Sequence, residues 1–312
     1  MPSLRHAFLS RLLGTIRSNY PAGDVAALRT NLIRDNRAVQ EMAPVDVRRQ
    51  HVVHVTAEHG FPVSTLRRRN AREAQPGAAR TVFYLHGGAF VKPAAAAHWR
   101  FATRLAEELD ADVVLPSYLL APEFTVEDSF EGMLRVFAEV AARSPGGVVL
   151  AGDSAGGGYA LALAQALRDA GGPQPERLVL IAPWVDLTGH APGTAEAAAR
   201  DPWLSYAHLP LYAAFWAGSE DLDVLAAPRA SPGLGDLRGL PPALMFCGTR
   251  DLIQPGCDAL ALRAREAGWD LEYVVGPGLL HVYPLLPVPE ARDAFDRVVD
   301  FCLPPVPVQP RG

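Results

Sequence analysis

The 312-residue sequence predicts an α/β protein: a mostly parallel central sheet flanked by helices. Three observations carry that reading. Runs such as Thr81–Leu85 and Val148–Ala151 are apolar throughout, as strands buried on both faces must be. Segments with helical periodicity separate those runs, and strict strand–helix alternation implies parallel pairing. Finally, the turn Gly152-Asp153-Ser154-Ala155-Gly156 joins one such strand to the Ala- and Leu-rich stretch Tyr159–Leu167.

In order along the chain, Leu4, Phe8, Leu12 and Ile16 recur at helical spacing, with Leu9 and Leu13 beside them. A helix lying on a membrane surface and a helix covering the core or a site both fit; the second is the expectation. Asp24 is a candidate N-cap for a second helix reaching about Met42. After Pro44, two strands, His51–Thr56 and Val63–Arg69, are joined by a turn at His59-Gly60, and a loop follows at Pro76-Gly77. Then come strand Thr81–Leu85, helix Ala95–Leu109, strand Val113–Pro116, helix Val126–Ala142 and the strand Val148–Ala151. Strand Leu178–Ala182 precedes a Pro-, Gly- and aromatic-rich stretch from Pro183 to Arg229. Strand Ala243–Cys247, helix Cys257–Ala267, strand Leu271–Val275 and helix Glu290–Phe301 close the series, leaving a Pro-rich tail. No internal repeat is visible.

Composition narrows the function classes. A 49% hydrophobic, 20% charged chain is ordinary for a globular protein, and a formal net charge of −5 offers no basic footprint for nucleic acid. Arg67-Arg68-Arg69 reads as a solvated strand end. The three cysteines, Cys247, Cys257 and Cys302, lack C-x-x-C spacing, so no zinc site is indicated, and their sparse, odd number suits a reducing cytoplasm. Arg5, Arg11 and Arg17 interrupt the apolar N-terminal stretches, which argues against a secretory signal. No apolar run approaches the ~18 residues of a membrane span. The expectation is a cytoplasmic protein without stable membrane insertion; a homodimer is compatible with it.

The chemistry is read at strand ends, where open α/β sheets place ligands. A strand, a five-residue turn with glycines on both sides, and a helix lift the Ser154 hydroxyl clear of the sheet; a Cβ at either glycine would crowd its neighbours. The following helix aims backbone N–H groups at the same place. Acyl transfer needs a nucleophile, a base, an acid that orients the base, and donors for an oxyanion. Asp251 directly follows strand Ala243–Cys247; Asp258 is a rival acid, or Asp251 a mere N-cap. His281 follows the strand Leu271–Val275, and the other histidines precede the region where the base is required. The chain order Ser154…Asp251…His281 is that of the α/β-hydrolase fold. His86-Gly87-Gly88-Ala89 ends a buried strand and turns main-chain N–H groups inward, so Gly87, Gly88 and Ala89 with Ala155 are the oxyanion-hole candidates. His86 itself is expected to fix this loop by hydrogen bonds. Phe90, Trp184, Trp203, Trp216 and Tyr283, with Tyr206 and Phe215, lie beside motifs or in the aromatic stretch and suggest an apolar or aromatic substrate pocket.

At this point the chain resembles the bacterial hormone-sensitive-lipase-like (family IV) carboxylesterases of the α/β-hydrolase superfamily. The resemblance rests on His86-Gly87-Gly88-Ala89, Tyr118-Leu119-Leu120-Ala121-Pro122-Glu123, Gly152-Asp153-Ser154-Ala155-Gly156-Gly157, Asp251 and Gly278-Leu279-Leu280-His281, and covers about residues 50–302. It implies a triad of Ser154, Asp251 and His281, an oxyanion hole from the N–H groups of Gly88, Ala89 and Ala155, and a helical cap. The implied layout is cap helices in 1–48, a catalytic domain in 49–303 with a cap insert about 190–228, and a tail in 304–312. Three departures stand out. Ala89 replaces the usual third glycine, which leaves the hole intact if that residue has φ < 0. Leu119 replaces the usual arginine, with a shortened segment after Glu123. Asp251-Leu252-Ile253-Gln254-Pro255 lacks the second aspartate commonly found shortly after the acid.

The sequence thus predicts an esterase that cleaves small-molecule carboxylic esters, short-chain by resemblance, without a metal or organic cofactor. An acyltransferase, cyclase or dehydratase on the same scaffold is the main alternative. A ligand-binding receptor is the other, and the presence of His281 speaks against it.

Overall fold

The computed structural model describes residues 2–16, 23–38, 43–68 and 80–303. The expectations for Met42, Arg69, Pro76-Gly77 and the 304–312 tail lie outside the described residues. Among the described residues the elements run α1 (Leu4–Ile16), α2 (Val25–Ala38), α3 (Val45–Gln50), β1 (His51–Glu58), β2 (Phe61–Arg68), β3 (Thr81–Leu85), α4 (Ala96–Glu108), β4 (Asp112–Pro116) and α5 (Val126–Ala142). They continue with β5 (Val148–Asp153), α6 (Ala155–Asp169), β6 (Arg177–Ile181), α7 (Thr194–Arg200), α8 (Leu209–Ala217), α9 (Leu222–Leu225), β7 (Ala243–Arg250), α10 (Gln254–Ala267), β8 (Leu271–Leu280) and α11 (Glu290–Cys302).

The strands form one sheet in the order β1-β2-β4-β3-β5-β6-β7-β8. From β4 to β8 all neighbours are parallel, whereas β1–β2 and β2–β4 are antiparallel. The parallel centre follows from the continuous apolar runs: β3 and β5 are buried at every residue. β1 is the open edge of the sheet, and Val52 and Val55, on opposite faces of that strand, stay 46% and 54% exposed. Helices fill both faces. Phe130, Met133 and Phe137 of α5 lie on one helical stripe, and Phe137 meets Phe83 of β3 edge-on at 5.3 Å between ring centroids.

Differences from the sequence expectation are local. The six-residue α3 is too short to show a period. In the stretch around 190–228, α7, α8 and α9 are helices punctuated by Gly193 and Gly218, both at positive φ. The segment Leu209–Ala217 is apolar around its whole circumference, so it carries no amphipathic signal. β7 and β8 extend three and five residues beyond their apolar runs, because backbone pairing continues through Gly248 opposite Gly276 to Arg250 opposite Leu280.

Glycine is required where α6 crosses the sheet. A Cβ at Gly156 would lie 2.1 Å from the Leu85 carbonyl oxygen, and one at Gly158 would lie 2.1 Å from that of Trp184. Gly158→Ala therefore forces α6 off the sheet. The expected loss is about 1–3 kcal/mol of stability, read as a lower urea midpoint.

Candidate active site

The register of the last two strands brings two distant segments together. β7 and β8 pair regularly up to Gly248 opposite Gly276, then shift at a bulge so that Arg250 pairs with Leu280. The next residues, Asp251 and His281, therefore leave the sheet edge side by side. Gly248 permits the shift, because a Cβ there would sit 2.2 Å from the Leu279 carbonyl oxygen. At the end of β5, Ser154 adopts φ 51°, ψ −123°, the strained conformation of a nucleophile elbow. Its N–H is held by the Ile181 carbonyl at 2.8 Å, and its carbonyl accepts from Trp184 N at 2.9 Å and Gly158 N at 3.1 Å.

The three side chains form one hydrogen-bonded line. His281 Nδ1 lies 2.8 Å from Asp251 Oδ2, and His281 Nε2 lies 2.9 Å from Ser154 Oγ. A carboxylate only accepts, so Nδ1 carries the proton and Nε2 is free to take the Ser154 hydrogen. Asp251 is fully buried and also receives Ile253 N–H at 3.1 Å and the Cys247 thiol at 3.5 Å. Burial pulls the His281 pKa down, but the charge and hydrogen bond of Asp251, reinforced by Asp201 and Asp153, raise it above its ordinary value. The rival Asp258 is exposed on α10 and binds the Tyr273 hydroxyl at 2.7 Å, away from this line.

The glycine loop is braced by Asp153, whose buried carboxylate accepts from the Tyr84 hydroxyl at 2.6 Å and from Gly87 N at 3.0 Å. His98 Nε2 stands 3.4 Å from the same carboxylate; its Nδ1 accepts from Ala95 N, so Nε2 carries the hydrogen. Burial pushes the Asp153 pKa up, but these partners outweigh it and hold it below the usual value. Two expectations about the loop are corrected here. Gly87 N–H is spent on Asp153, so it is not an oxyanion donor; Gly88 and Ala89 instead line the cavity beside Ser154. The condition set for Ala89, φ < 0, is not met: it has φ 54°, followed by Phe90 at φ 62°. The N–H is retained, at the cost of left-handed backbone strain. Ala155, the first residue of α6, has no intrahelical partner for its N–H by geometry. His86 is fully buried, stacks on Tyr118 at 4.4 Å and contacts the Gly87 carbonyl through Nδ1 at 2.7 Å. Burial lowers its pKa to about 4, so it is a neutral loop anchor.

A cavity of about 490 Å³ opens onto Ser154 and His281. Its walls include Leu13 of α1, Val91 and Pro93 after the loop, Trp203, Leu204, His208, Leu209 and Tyr212 from the 190–228 stretch and its approach, and Leu286. Of the five aromatic pocket candidates only Trp203 lines it, meeting His281 edge-on at 5.7 Å. The other four are corrected. Phe90 and Trp216 are 1% exposed and stack at 4.3 Å beneath the glycine loop, because the left-handed turn at Ala89–Phe90 drives the Phe90 ring inward. Trp184 stacks on Phe90 and lines a separate crevice of about 50 Å³, together with the exposed Tyr206. Tyr283 is 4% exposed and packs against Phe246, burial pushing its pKa up to about 12. Phe215 is half-buried, with the Arg29 guanidinium 5.8 Å from its ring.

Sequence reasoning missed the support behind the triad. Arg250 Nη1 donates to Ser10 Oγ at 2.9 Å and Leu280 N donates to His6 Nε2 at 3.1 Å, so α1 grips the residue before Asp251 and the residue before His281. Neither Ser10 nor His6 belongs to a motif, and only the helical spacing of α1 hinted at a packed face. Asp201, from the cap stretch, receives Leu252 N–H beside Asp251, and no signal in the sequence marked it. Among the described residues no group of three or more His, Cys, Asp or Glu side chains could hold a metal ion, and no helix is long and apolar enough to cross a membrane.

Comparison with known proteins agrees with this fold. A family model described as alpha/beta hydrolase fold matches residues 82–285. An acetyl-hydrolase of Streptomyces hygroscopicus is 35% identical over 224 residues, covering 70% of this chain and 73% of its own length. A carboxylesterase of Mycobacterium tuberculosis is 28% identical over 300 residues, 93% of this chain and 92% of its own. Among solved structures, an esterase from the bacterial hormone-sensitive lipase family superposes with TM-score 0.76 and 26% identity over 96% of this chain and 98% of that one.

The strain at Ala89 is testable without touching a reacting group. Ala89→Gly is expected to raise the unfolding free energy by roughly 0.5–1 kcal/mol, since relief of the left-handed penalty exceeds the added chain entropy. Thermal unfolding of the variant checks it.

Proposed function

The chain belongs to the α/β-hydrolase fold family, in its hormone-sensitive-lipase-like carboxylesterase branch, and on that premise we propose that it hydrolyses short-chain or small apolar and aromatic esters through a serine acyl-enzyme. The observation that carries this reading is the unbroken line Asp251–His281–Ser154 at 2.8 and 2.9 Å, opening into a 490 Å³ cavity of mostly apolar wall.

In the proposed mechanism, His281 Nε2 takes the Ser154 proton as Oγ attacks the ester carbonyl carbon. Charge develops on the carbonyl oxygen and is received by the N–H groups of Gly88, Ala89 and Ala155, worth roughly 3–4 kcal/mol of barrier per donor. Asp251 holds the imidazole and stabilises its cation. The alcohol leaves with the Nε2 proton; water then attacks the acyl-enzyme with His281 again as base. This route asks for no cofactor. The N-terminal region 1–48 and the 190–228 insert act as a cap over the catalytic domain 49–303, with Leu13 and Leu209 supplying apolar wall. A cytoplasmic setting is part of the same proposal, supported by three cysteines that are free and buried.

Two measurements test the reading. Wild type is expected to turn over p-nitrophenyl acetate and butyrate faster than decanoate, and Ser154→Ala to lower kcat by about 10⁴–10⁶. A burst of one equivalent without turnover points to an acyltransferase instead; a preference for decanoate overturns the substrate class. Second, activity needs neutral His281. Its pKa is raised above 6.5, so kcat/KM is present above that raised pKa and falls as pH drops through it. A pH–rate profile with its acid inflection above 6.5 is the expected result.

A further inference from the structure

We propose that Asp201 is a positioning residue for this triad: it ties the cavity wall to the Asp251 loop and places a second negative charge behind His281. The proposal rests on the esterase reading above. Asp201 caps the C-terminus of α7, its own N–H bonding the Ala197 carbonyl at 3.0 Å. Its Oδ1 accepts from Trp203 N at 2.7 Å and Leu204 N at 2.9 Å, two residues of the cavity wall. Its Oδ2 accepts from Leu252 N at 2.7 Å, the residue after Asp251. One carboxylate thus fixes the wall that meets His281 through Trp203 and the loop that delivers the acid.

Turn geometry alone does not account for an aspartate here. Neutral Asn or Ser side chains accept backbone hydrogens in the same turns. Asp201 is 1% exposed, and among the described residues no Lys, Arg or His side chain makes an ion pair with it. Burial first and the Asp251 charge second raise its pKa above the ordinary carboxylate value, while the N–H groups of Trp203, Leu204 and Leu252 hold its ionised form. Two such carboxylates are a costly arrangement unless a cation forms nearby. The proton transfer from Ser154 creates that cation on His281.

Lys92, His98 and His208 line the same cavity, and the titratable groups nearest the triad line have partners of their own. Asp251 binds Nδ1, and Cys247 donates to Asp251 from β7. Asp153, at the end of β5, is committed to Tyr84 and Gly87. From α1, His6 accepts from Leu280 N. The Arg250 guanidinium bonds Ser10 and reaches the Arg200 carbonyl at 3.4 Å. Beside Asp251, Asp201 is the larger of the two carboxylates whose charge supports a protonated His281, Asp153 being the smaller.

The test compares Asp201→Asn with Asp201→Glu by pH profile, using both kcat/KM on p-nitrophenyl butyrate and the rate at which a fluorophosphonate labels Ser154. Removing the charge is expected to move the acid inflection down by about half to one pH unit and to lower kcat roughly three- to tenfold, while Asp201→Glu keeps the wild-type inflection. If Asp201→Asn does not fold, Asp201→Ser is the second neutral acceptor for the same turn. An unmoved inflection in a folded neutral variant overturns the proposal and leaves Asp201 a structural cap. Failure of the esterase reading is a different result: wild type then shows no butyrate turnover, while the labelling profile still reports whether Asp201 governs His281.

Discussion

The site depends on one piece of backbone pairing, the shifted register that sets Arg250 opposite Leu280 at the end of β7 and β8. Asp251 and His281 are 30 residues apart and belong to separate loops, yet the hydrogen-bond ladder makes them neighbours without asking either loop to be rigid. The bulge adds the reach that a regular ladder would lack, and Gly248 is where the chains come too close for a side chain. Contacts from α1 then fix the last paired residues: Ser10 on Arg250 and His6 on Leu280. The strands give direction to the acid and base, and the N-terminal helix holds them there.

On the opposite side of the cavity, strain is concentrated and supported in the same way. Ser154, Ala89 and Phe90 all have positive φ, each an unfavourable choice for a residue with a side chain. Asp153 links two of these places, since it precedes Ser154 and its carboxylate pins Gly87. Below them, Phe90 stacks on Trp216 at 4.3 Å, and Trp216 meets Tyr118 and Tyr159 edge-on. Trp216 comes from α8, so the 190–228 stretch is nailed to the body by the same aromatic group that floors the glycine loop. Burial of those rings drives the strained turn and the cap contact together.

What was legible in the sequence follows from what has a local signature. β3 and β5 announced themselves by continuous apolar runs, and Ser154 by the strand–turn–helix around it. Asp251 and His281 were visible because strand ends in a parallel sheet share one edge, so chain order and position put them forward, with Asp258 as a rival acid. The aromatic residues were misjudged for a reason of chemistry: Phe90 and Tyr283 sit beside motifs and Trp216 in the aromatic stretch, but large apolar rings lower free energy most by entering the core. Sequence proximity to Ser154 or His281 says nothing about which way a ring turns; at Phe90 the sign of φ decided it. His6, Ser10 and Asp201 were invisible because each acts through hydrogen bonds that no local pattern announces: His6 and Asp201 accept from backbone N–H groups, and Ser10 accepts from the Arg250 guanidinium. Residue type alone did not set them apart.

The same logic explains how the site chooses among its histidines. His6, His86 and His281 are all buried, and burial alone disfavours the charged form in each. His86 faces an aromatic stack and a neighbouring imidazole, and its pKa drops to about 4. His6 has Glu290 in its favour and Arg250 against it, and it remains lowered; a neutral Nε2 is what Leu280 N requires. Only His281 gathers carboxylates from three directions, Asp251, Asp201 and Asp153, and only there do they outweigh desolvation. A base must accept a proton and then carry the charge, and His281 is the one imidazole here whose surroundings favour both. The two structural histidines need the reverse, an imidazole that stays neutral, and their surroundings supply it. Three identical side chains are thus sorted into one proposed base and two supports by the charges placed around them.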